Sequence, residues 1–295
     1  MKRFFKLVTG LAIVSATLGG PAALACTGGA LTAKDGSTVV GRTLEFGTSL
    51  DSQIVVWPKG SSFTGTTPSG NNGVTFKAKY GFMGASIGTH YDMVVDGLNE
   101  KGLNAALFYF PGYADYAKAT DQNTSKGISP AQFVTWLLAN FATVDEVKAN
   151  IDQVAVLPVV LELLKAVPDV HYKVQDATGK AITIEPVDGG LKVYDNPVRV
   201  LTNAPWFDFH LTNLNNYLNV TSSYLSPKKV GDLTLQPFGM GGGGVGLPGD
   251  ITPPSRFLRM VFYTQSVPSL PNSEAAVSTL FHLLNNFDIP YGSSQ

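Results

Sequence analysis

Tight turns between alternating segments limit this chain to antiparallel pairing. Lys34-Asp35-Gly36, Asn99 to Gly102, Thr178-Gly179 and Asp188-Gly189-Gly190 each reverse an extended chain within a few residues, so the flanking segments lie side by side in opposite directions. Strands are expected over Cys26 to Thr32, Thr38 to Phe46, Gln53 to Trp57, Val74 to Tyr80, Met93 to Asp96 and Leu103 to Phe110. An exposed loop rich in Gly, Ser, Thr and Pro is expected from Ser61 to Asn72. A helical block follows, with Ser129 as cap, Pro130 at the first helical position, and Phe133, Val134, Trp136, Leu137 and Leu138 at helical spacing. Thr143 and Glu146 form a capping-box pattern that opens a second helix. Strands resume at Tyr172 to Gln175, Ala181 to Glu185, Leu191 to Tyr194 and Val198 to Thr202, and helices are expected near Asp208 to Leu218, Ser255 to Gln265 and Ser273 to Asn285. Strands, helices, strands and helices in segregated blocks predict an α+β fold in which helices cover stacked antiparallel sheets.

The first 25 residues stand apart. Lys2, Arg3 and Lys6 precede an apolar stretch from Leu7 to Leu18, then Gly19, Gly20 and Pro21, and the segment closes on Ala23-Leu24-Ala25. That order is the charged, apolar and small-residue pattern of a secretory signal. Thr9, Gly10, Ser15 and Thr17 interrupt the apolar stretch, which falls short of the about 20 residues that span a bilayer. Residues 1–25 are therefore expected to be removed, and 26–295 to form the folded domain. Cleavage between Ala25 and Cys26 would place the protein in the periplasm or outside the cell.

The single cysteine, Cys26, directly follows that cleavage site. One cysteine forms no internal disulfide, so stapling the fold is not its purpose. A cysteine after a cleavage site also marks bacterial lipoproteins, whose processing takes Leu at the third position before the Cys and a small residue at the second. Ala23 and Leu24 stand in the opposite order, and acylation would block the α-amino group. A lipid-anchored or soluble periplasmic binding protein with Cys26 as attachment point is the alternative to a catalytic thiol. The whole chain carries a formal net charge of −1, made more negative by loss of the three leader cations. Such a balance speaks against nucleic-acid or anionic-membrane partners.

An N-terminal cysteine holds a nucleophile and its base on one residue. The thiol ionises near ~8.5 and the α-amino group near ~7.7–8.0, so the amine can take the thiol proton at neutral pH without a histidine. A nearby cation would favour both thiolate and neutral amine. A hairpin turning at Lys34 to Gly36 places Cys26 opposite Thr43 or Leu44, with Arg42 and Glu45 flanking that position. Arg42 is expected to support the thiolate, and Glu45 to accept a hydrogen bond from the α-amino group. His90, His171, His210 and His282 lie in no catalytic signature and have no metal-ligand spacing, so each is expected to be a surface or satisfied core residue, and no metal is expected. The glycines from Gly239 to Gly246 lack the Gly-Lys-Ser/Thr ending of a phosphate loop and are expected to form a flexible loop, which could border a substrate pocket.

Six stretches carry a family resemblance: Cys26-Thr27-Gly28, Gly41-Arg42-Thr43-Leu44-Glu45, Gly97 through Leu103, Val200-Leu201-Thr202-Asn203, Leu211 through Tyr217, and Gly246-Leu247-Pro248-Gly249-Asp250 with Ser255-Arg256-Phe257. In order and spacing the chain resembles the choloylglycine hydrolase family of N-terminal nucleophile amidases, which includes bile salt hydrolases and penicillin V acylases. The resemblance implies a four-layer αββα sandwich, hydrolysis of a small-molecule linear amide, no cofactor, and a homotetramer as the assembly to test. It also implies that Cys26 is nucleophile and base, that Arg42 supports the thiolate, that Asn203 offers its side-chain N–H to the oxyanion, and that Arg256 organises charge around the nucleophile. Glu45 stands where the family commonly has Asp. Tyr109 stands where bile salt hydrolases typically have Asn and penicillin V acylases have Tyr, which favours an aromatic acyl group; its backbone N–H is an expected oxyanion donor. Family members usually continue beyond Tyr291 with strands that complete a sheet, so this chain is expected to leave one sheet short of strands.

Overall fold

A computed structural model describes residues 25–46 and 49–290. In chain order, β1 (Ala25–Thr32) and β2 (Thr38–Glu45) form the first hairpin, followed by β3 (Ile54–Trp57) and a short pair, β4 (Ser62–Thr64) with β5 (Thr75–Lys77). Next come β6 (Phe82–Ile87), β7 (His90–Asn99), β8 (Asn104–Tyr109) and the two-residue β9 (Gly127–Ile128), then the helices α1 (Phe133–Asn140) and α2 (Val144–Asn150) and the two-residue β10 (Ala155–Val156). After β11 (Val170–Gln175), β12 (Ala181–Val187) and β13 (Gly190–Asp195) follow α3 (Phe207–Asn213), an exposed hairpin of β14 (Lys228–Val230) and β15 (Leu233–Leu235), and the last helices α4 (Pro253–Ser266) and α5 (Ser273–Leu284).

Seven of these strands make one antiparallel sheet in the order β13-β12-β11-β8-β7-β6-β3. Helix α1 packs on its outer face against β7 and β8, while α4 and α5 cover the β1–β2 hairpin, which lies against the inner face. The layers therefore run helix, sheet, sheet, helix, the αββα sandwich. Two large cores fill the gaps, beside a small cluster of Ile87, Val95, Ala131 and Leu161. Phe133, Trp136, Leu137, Tyr172, Val174 and Ile184 pack under α1; Leu31, Phe108, Leu201, Phe257, Met260 and Leu280 pack around the hairpin.

Glycine sets two of these spacings. A Cβ on Gly97 would come within 2.5 Å of Leu138 Cδ1, and one on Gly28 within 2.7 Å of the Phe108 ring. The first position lets α1 settle on the sheet and the second lets β1 approach β8.

Several expected boundaries move for local reasons. Ser129 accepts the Gln132 N–H at 3.2 Å, as a cap does, and the regular helix starts one turn later at Phe133. Thr143 caps α2 as expected, its hydroxyl accepting the Glu146 N–H at 3.2 Å. The Ser61 to Asn72 stretch is not simply an exposed loop, because β4 buries Phe63 against Trp57 and Phe76. Strand β6, absent from the sequence expectations, fits between β3 and β7, its Gly84-Ala85-Ser86 too small to announce a strand. The expected strand from Val198 to Thr202 reduces to one bridge, Leu201 with Gly28.

Among the described residues the sheet under α4 and α5 has only two strands, and its partner has seven. Beyond the free side of β2, the inner faces of β3, β6 and β7 consequently expose Ile54, Val56, Met83 and Leu98. These apolar side chains border a cleft of ≈ 710 Å³, or lie in register with residues that do. Burial alone separates two expected effects on stability. Leu137→Ala, at a fully buried position, should lower the unfolding free energy by about 2–5 kcal/mol. Val56→Thr, where the side chain is 72% exposed, should change it by less than about 0.5 kcal/mol; urea titration of both variants checks the contrast.

Candidate active site

The hairpin register puts Cys26 opposite Leu44, Gly28 opposite Arg42, and Ala25 opposite Glu45. Side chains alternate across a strand, so this register assigns each residue to a face. Gly28 faces the Phe108 ring of the large sheet, whereas Gly29 faces Met260 of α4 and Gly41 faces Leu280 of α5. Cys26, Arg42 and Leu44 therefore share the face toward the large sheet. Thr27, Thr43 and Glu45 share the face toward the helices. The two charged residues that flank the position opposite Cys26 thus lie on opposite faces of the hairpin.

On the sheet side, Arg42 is anchored in three ways. Its guanidinium lies 4.1 Å from the Phe108 ring centroid, Nε donates to the Thr43 carbonyl at 3.1 Å, and Nη1 donates to the Leu107 carbonyl. The remaining Nη2 is buried without a hydrogen-bond partner. Arg42 and Cys26 line one apolar cavity of ≈ 50 Å³, whose other walls include Leu44, Ile87, Val95, Leu107, Leu161 and Leu164. Tyr109 lines it as well, and burial raises its phenol above the ordinary value, with Asp169 adding to the effect.

On the helix side, Arg256 reaches in from α4 and is almost wholly buried. Nη1 donates to the Cys26 carbonyl and to Thr27 Oγ1, the latter at 2.8 Å, and Nη2 donates to Asn203 Oδ1 at 2.6 Å. Nε donates to the Ile251 carbonyl at 2.9 Å. Burial lowers its pKa to about 10, against the opposing pull of Cys26 and Glu45, so it stays charged at neutral pH. Burial raises the Glu45 carboxyl above its usual range, with the Thr43 hydroxyl at 3.1 Å and then Arg256 and Arg42 acting against it.

Asn203 joins the two sides. Its Oδ1 accepts the Cys26 backbone N–H at 3.0 Å, and its Nδ2 donates to the Tyr109 carbonyl at 2.7 Å. The structure thus brings Cys26, Arg42, Glu45, Asn203, Arg256 and Tyr109 into one neighbourhood. The Cys26 nitrogen, still joined to Ala25, faces Asn203 Oδ1, and the Glu45 carboxylate takes the Thr43 hydroxyl.

A family model for linear amide C–N hydrolases of the choloylglycine hydrolase family matches residues 26–295. The chain belongs to the choloylglycine hydrolase family. It is 35% identical over 271 residues to a bile salt hydrolase/transferase of Clostridium perfringens, covering 92% of this chain and 81% of that one. A solved variant of the conjugated bile acid hydrolase from Clostridium perfringens superposes with a TM-score of 0.80 at 34% identity, over 92% of this chain and 81% of the other. The penicillin V acylase structure from Agrobacterium tumefaciens gives 0.74 at 25% identity, over 92% and 74%. This choloylglycine hydrolase family member is an amidohydrolase acting on linear amides, and Cys26 lies in the first strand of the described fold.

Sequence reasoning missed Thr43, whose hydroxyl accepts the Thr27 N–H at 3.1 Å and donates to Glu45, and Phe108, which carries the Arg42 guanidinium. It also missed His210, which sits beside Asn203 with Nε2 2.9 Å from the Asn203 carbonyl. Burial lowers His210 from 6.5 to about 4. The unfolded chain therefore binds a proton below about pH 6.5 that the folded protein refuses until about pH 4, so stability falls as the pH drops through this window. Replacing His210 by Gln should remove up to about 3 kcal/mol of that pH dependence, measured as the slope of unfolding free energy against pH.

Proposed function

We propose that this protein is an exported amidohydrolase whose catalytic N-terminus is made by removal of residues 1–25. The observation that carries the reading is the position of Cys26: buried in the wall of an apolar cavity shared with Arg42, with its nitrogen on Asn203 and its carbonyl on Arg256. Freed of Ala25, the α-amino group takes the proton of the Cys26 thiol, and the thiolate attacks the amide carbon. The carbonyl oxygen becomes an oxyanion, held by Asn203 Nδ2–H and a backbone N–H at Tyr109. Such pre-placed donors are worth about 3–4 kcal/mol each in the transition state. The α-ammonium passes its proton to the leaving nitrogen as the C–N bond breaks, leaving a thioester and a free amine. Water, deprotonated by the α-amine, then attacks the thioester, and the thiol and the carboxylic acid are released.

Arg42 and Arg256 supply positive charge on the two faces of the hairpin, Asn203 Oδ1 orients the amine, and Glu45 adds negative charge on the helix side, where it holds the Thr43 hydroxyl. The cavity walls favour an apolar acyl group without hydroxyls, and Tyr109 favours the penicillin V acylase type over the bile salt type. A homotetramer is the proposed assembly; the fully exposed Phe238 and Met240 near the β14–β15 hairpin are the apolar surface that supports it.

Mass spectrometry of the protein expressed with its leader should find Cys26 at the N-terminus, and Cys26→Ala should lower turnover by roughly 10³-fold or more without unfolding. Undiminished turnover in that variant, or an acylated Cys26 as in a lipoprotein, sinks the reading. Hydrolysis of penicillin V, conjugated bile salts and acyl-homoserine lactones, measured side by side, assigns the acyl group; light scattering tests the tetramer.

A further inference from the structure

The backbone that carries Asn203 has left regular secondary structure. Leu201 still exchanges both hydrogen bonds with Gly28, at 2.8 and 3.1 Å, but beyond it the chain pairs with no strand. Thr202 and Asn203 are nonetheless buried, and their carbonyl groups need donors there. Two histidines supply them. His171, from the inner face of β11, places Nε2 3.2 Å from the Thr202 carbonyl oxygen; His210, from α3, places Nε2 2.9 Å from the Asn203 carbonyl oxygen.

Both rings are themselves held. His171 stacks on Phe110 with centroids 4.2 Å apart, and its Nδ1 lies 3.2 Å from Glu185 Oε1, which also accepts the Phe207 N–H at 2.9 Å. His210 stacks on Phe257 with centroids 4.7 Å apart, and its Nδ1 is buried with no partner. A carbonyl oxygen only accepts, so each Nε2 must carry the hydrogen. For His210 this selects the Nε2–H tautomer.

We propose that His171 and His210 are positioning residues that clamp two consecutive carbonyls, one from the sheet and one from a helix, and so hold the Asn203 amide at the place where the oxyanion forms. The clamp rests on the reading of Asn203 as oxyanion donor. Neither histidine reaches the cavity that Cys26 lines, so neither touches the substrate. Their effect is on the direction of the Asn203 Nδ2–H bond, where a displacement of about 1 Å can cost on the order of 100-fold in rate.

The test uses the mature full-length protein and a cleavable amide for which wild-type turnover has been found. His210→Leu should lower kcat by about 10- to 100-fold, with KM and the rate of Cys26 alkylation by iodoacetamide kept within about twofold, because the cavity and the thiol are untouched. His210→Gln, whose Nε2 can donate at nearly the same point, should recover most of kcat. If the Leu variant does not fold, His210→Asn, whose amide is too short to reach, should show the same loss. An unchanged kcat in a folded Leu or Asn variant, a loss confined to KM, or no recovery in His210→Gln overturns the proposal. Long-range ¹H–¹⁵N spectra of histidine-labelled wild-type protein should show His210 as the Nε2–H tautomer, and the Nδ1–H form overturns it. Retained turnover in Cys26→Ala would instead defeat the nucleophile reading, leaving the tautomer result as an independent test of the clamp.

Discussion

One buried guanidinium ties the site together. Arg256 enters from α4 and spends its donors on the Cys26 carbonyl, the Thr27 hydroxyl, the Asn203 amide oxygen and the Ile251 carbonyl. It thereby links the first strand, the turn after Leu201 and the start of α4, segments more than 170 residues apart for the Cys26 and Asn203 pair. A charge taken out of water is costly unless every donor finds an acceptor, and here two of the acceptors belong to Cys26 and Asn203, the proposed nucleophile and oxyanion donor. Because Asn203 Oδ1 is taken by Arg256 and the Cys26 nitrogen, the amide turns its Nδ2 toward Tyr109. The orientation of the proposed oxyanion donor thus follows from burial of a cation.

The strand period distributes the remaining parts. Side chains of β1 and β2 alternate, so one hairpin offers a thiol and an arginine to the large sheet and a threonine pair and a glutamate to the helices. The same alternation in β11 sends Val170, Tyr172 and Val174 to the outer core and His171, Lys173 and Gln175 to the space between the sheets, where all six are buried. Lys173 is lowered to about 7 by that burial, with Asp96 acting against it. A polar inner row of this kind weakens the core as a source of stability. It gives the site its scaffold, since His171 from that row and His210 from α3 hold the peptide that bears Asn203.

Much of this was legible beforehand. Gly36 and its neighbours set the first turn, and that turn alone predicts Cys26 opposite Thr43 or Leu44; the register is Leu44. The helices α4 and α5 and the Thr143 cap follow from apolar spacing and capping chemistry in a short window. What stayed hidden had no local signal. The β6 residues Gly84, Ala85 and Ser86 form a strand because β3 and β7 flank them, and Phe63 is buried because Trp57 and Phe76 close over a segment whose composition reads as loop. His171 and His210 carry no motif, since their partners are backbone carbonyls that only the fold brings near.

The sequence by itself determined the antiparallel layered class, the pairing of Cys26 with the Arg42 strand, and, through the motifs around Asn203 and Arg256, membership of the choloylglycine hydrolase family. Those features reside in turns, periodicity and short stretches whose meaning does not depend on distant contacts. Tertiary structure alone decided that Arg42 and Glu45 lie on opposite faces, that Asn203 rather than Glu45 meets the Cys26 nitrogen, and that two histidines meet the carbonyls of Thr202 and Asn203. The reason is physical: hydrogen-bond partners of buried groups are chosen by which chains pack together, and packing joins residues that no spacing along the sequence relates.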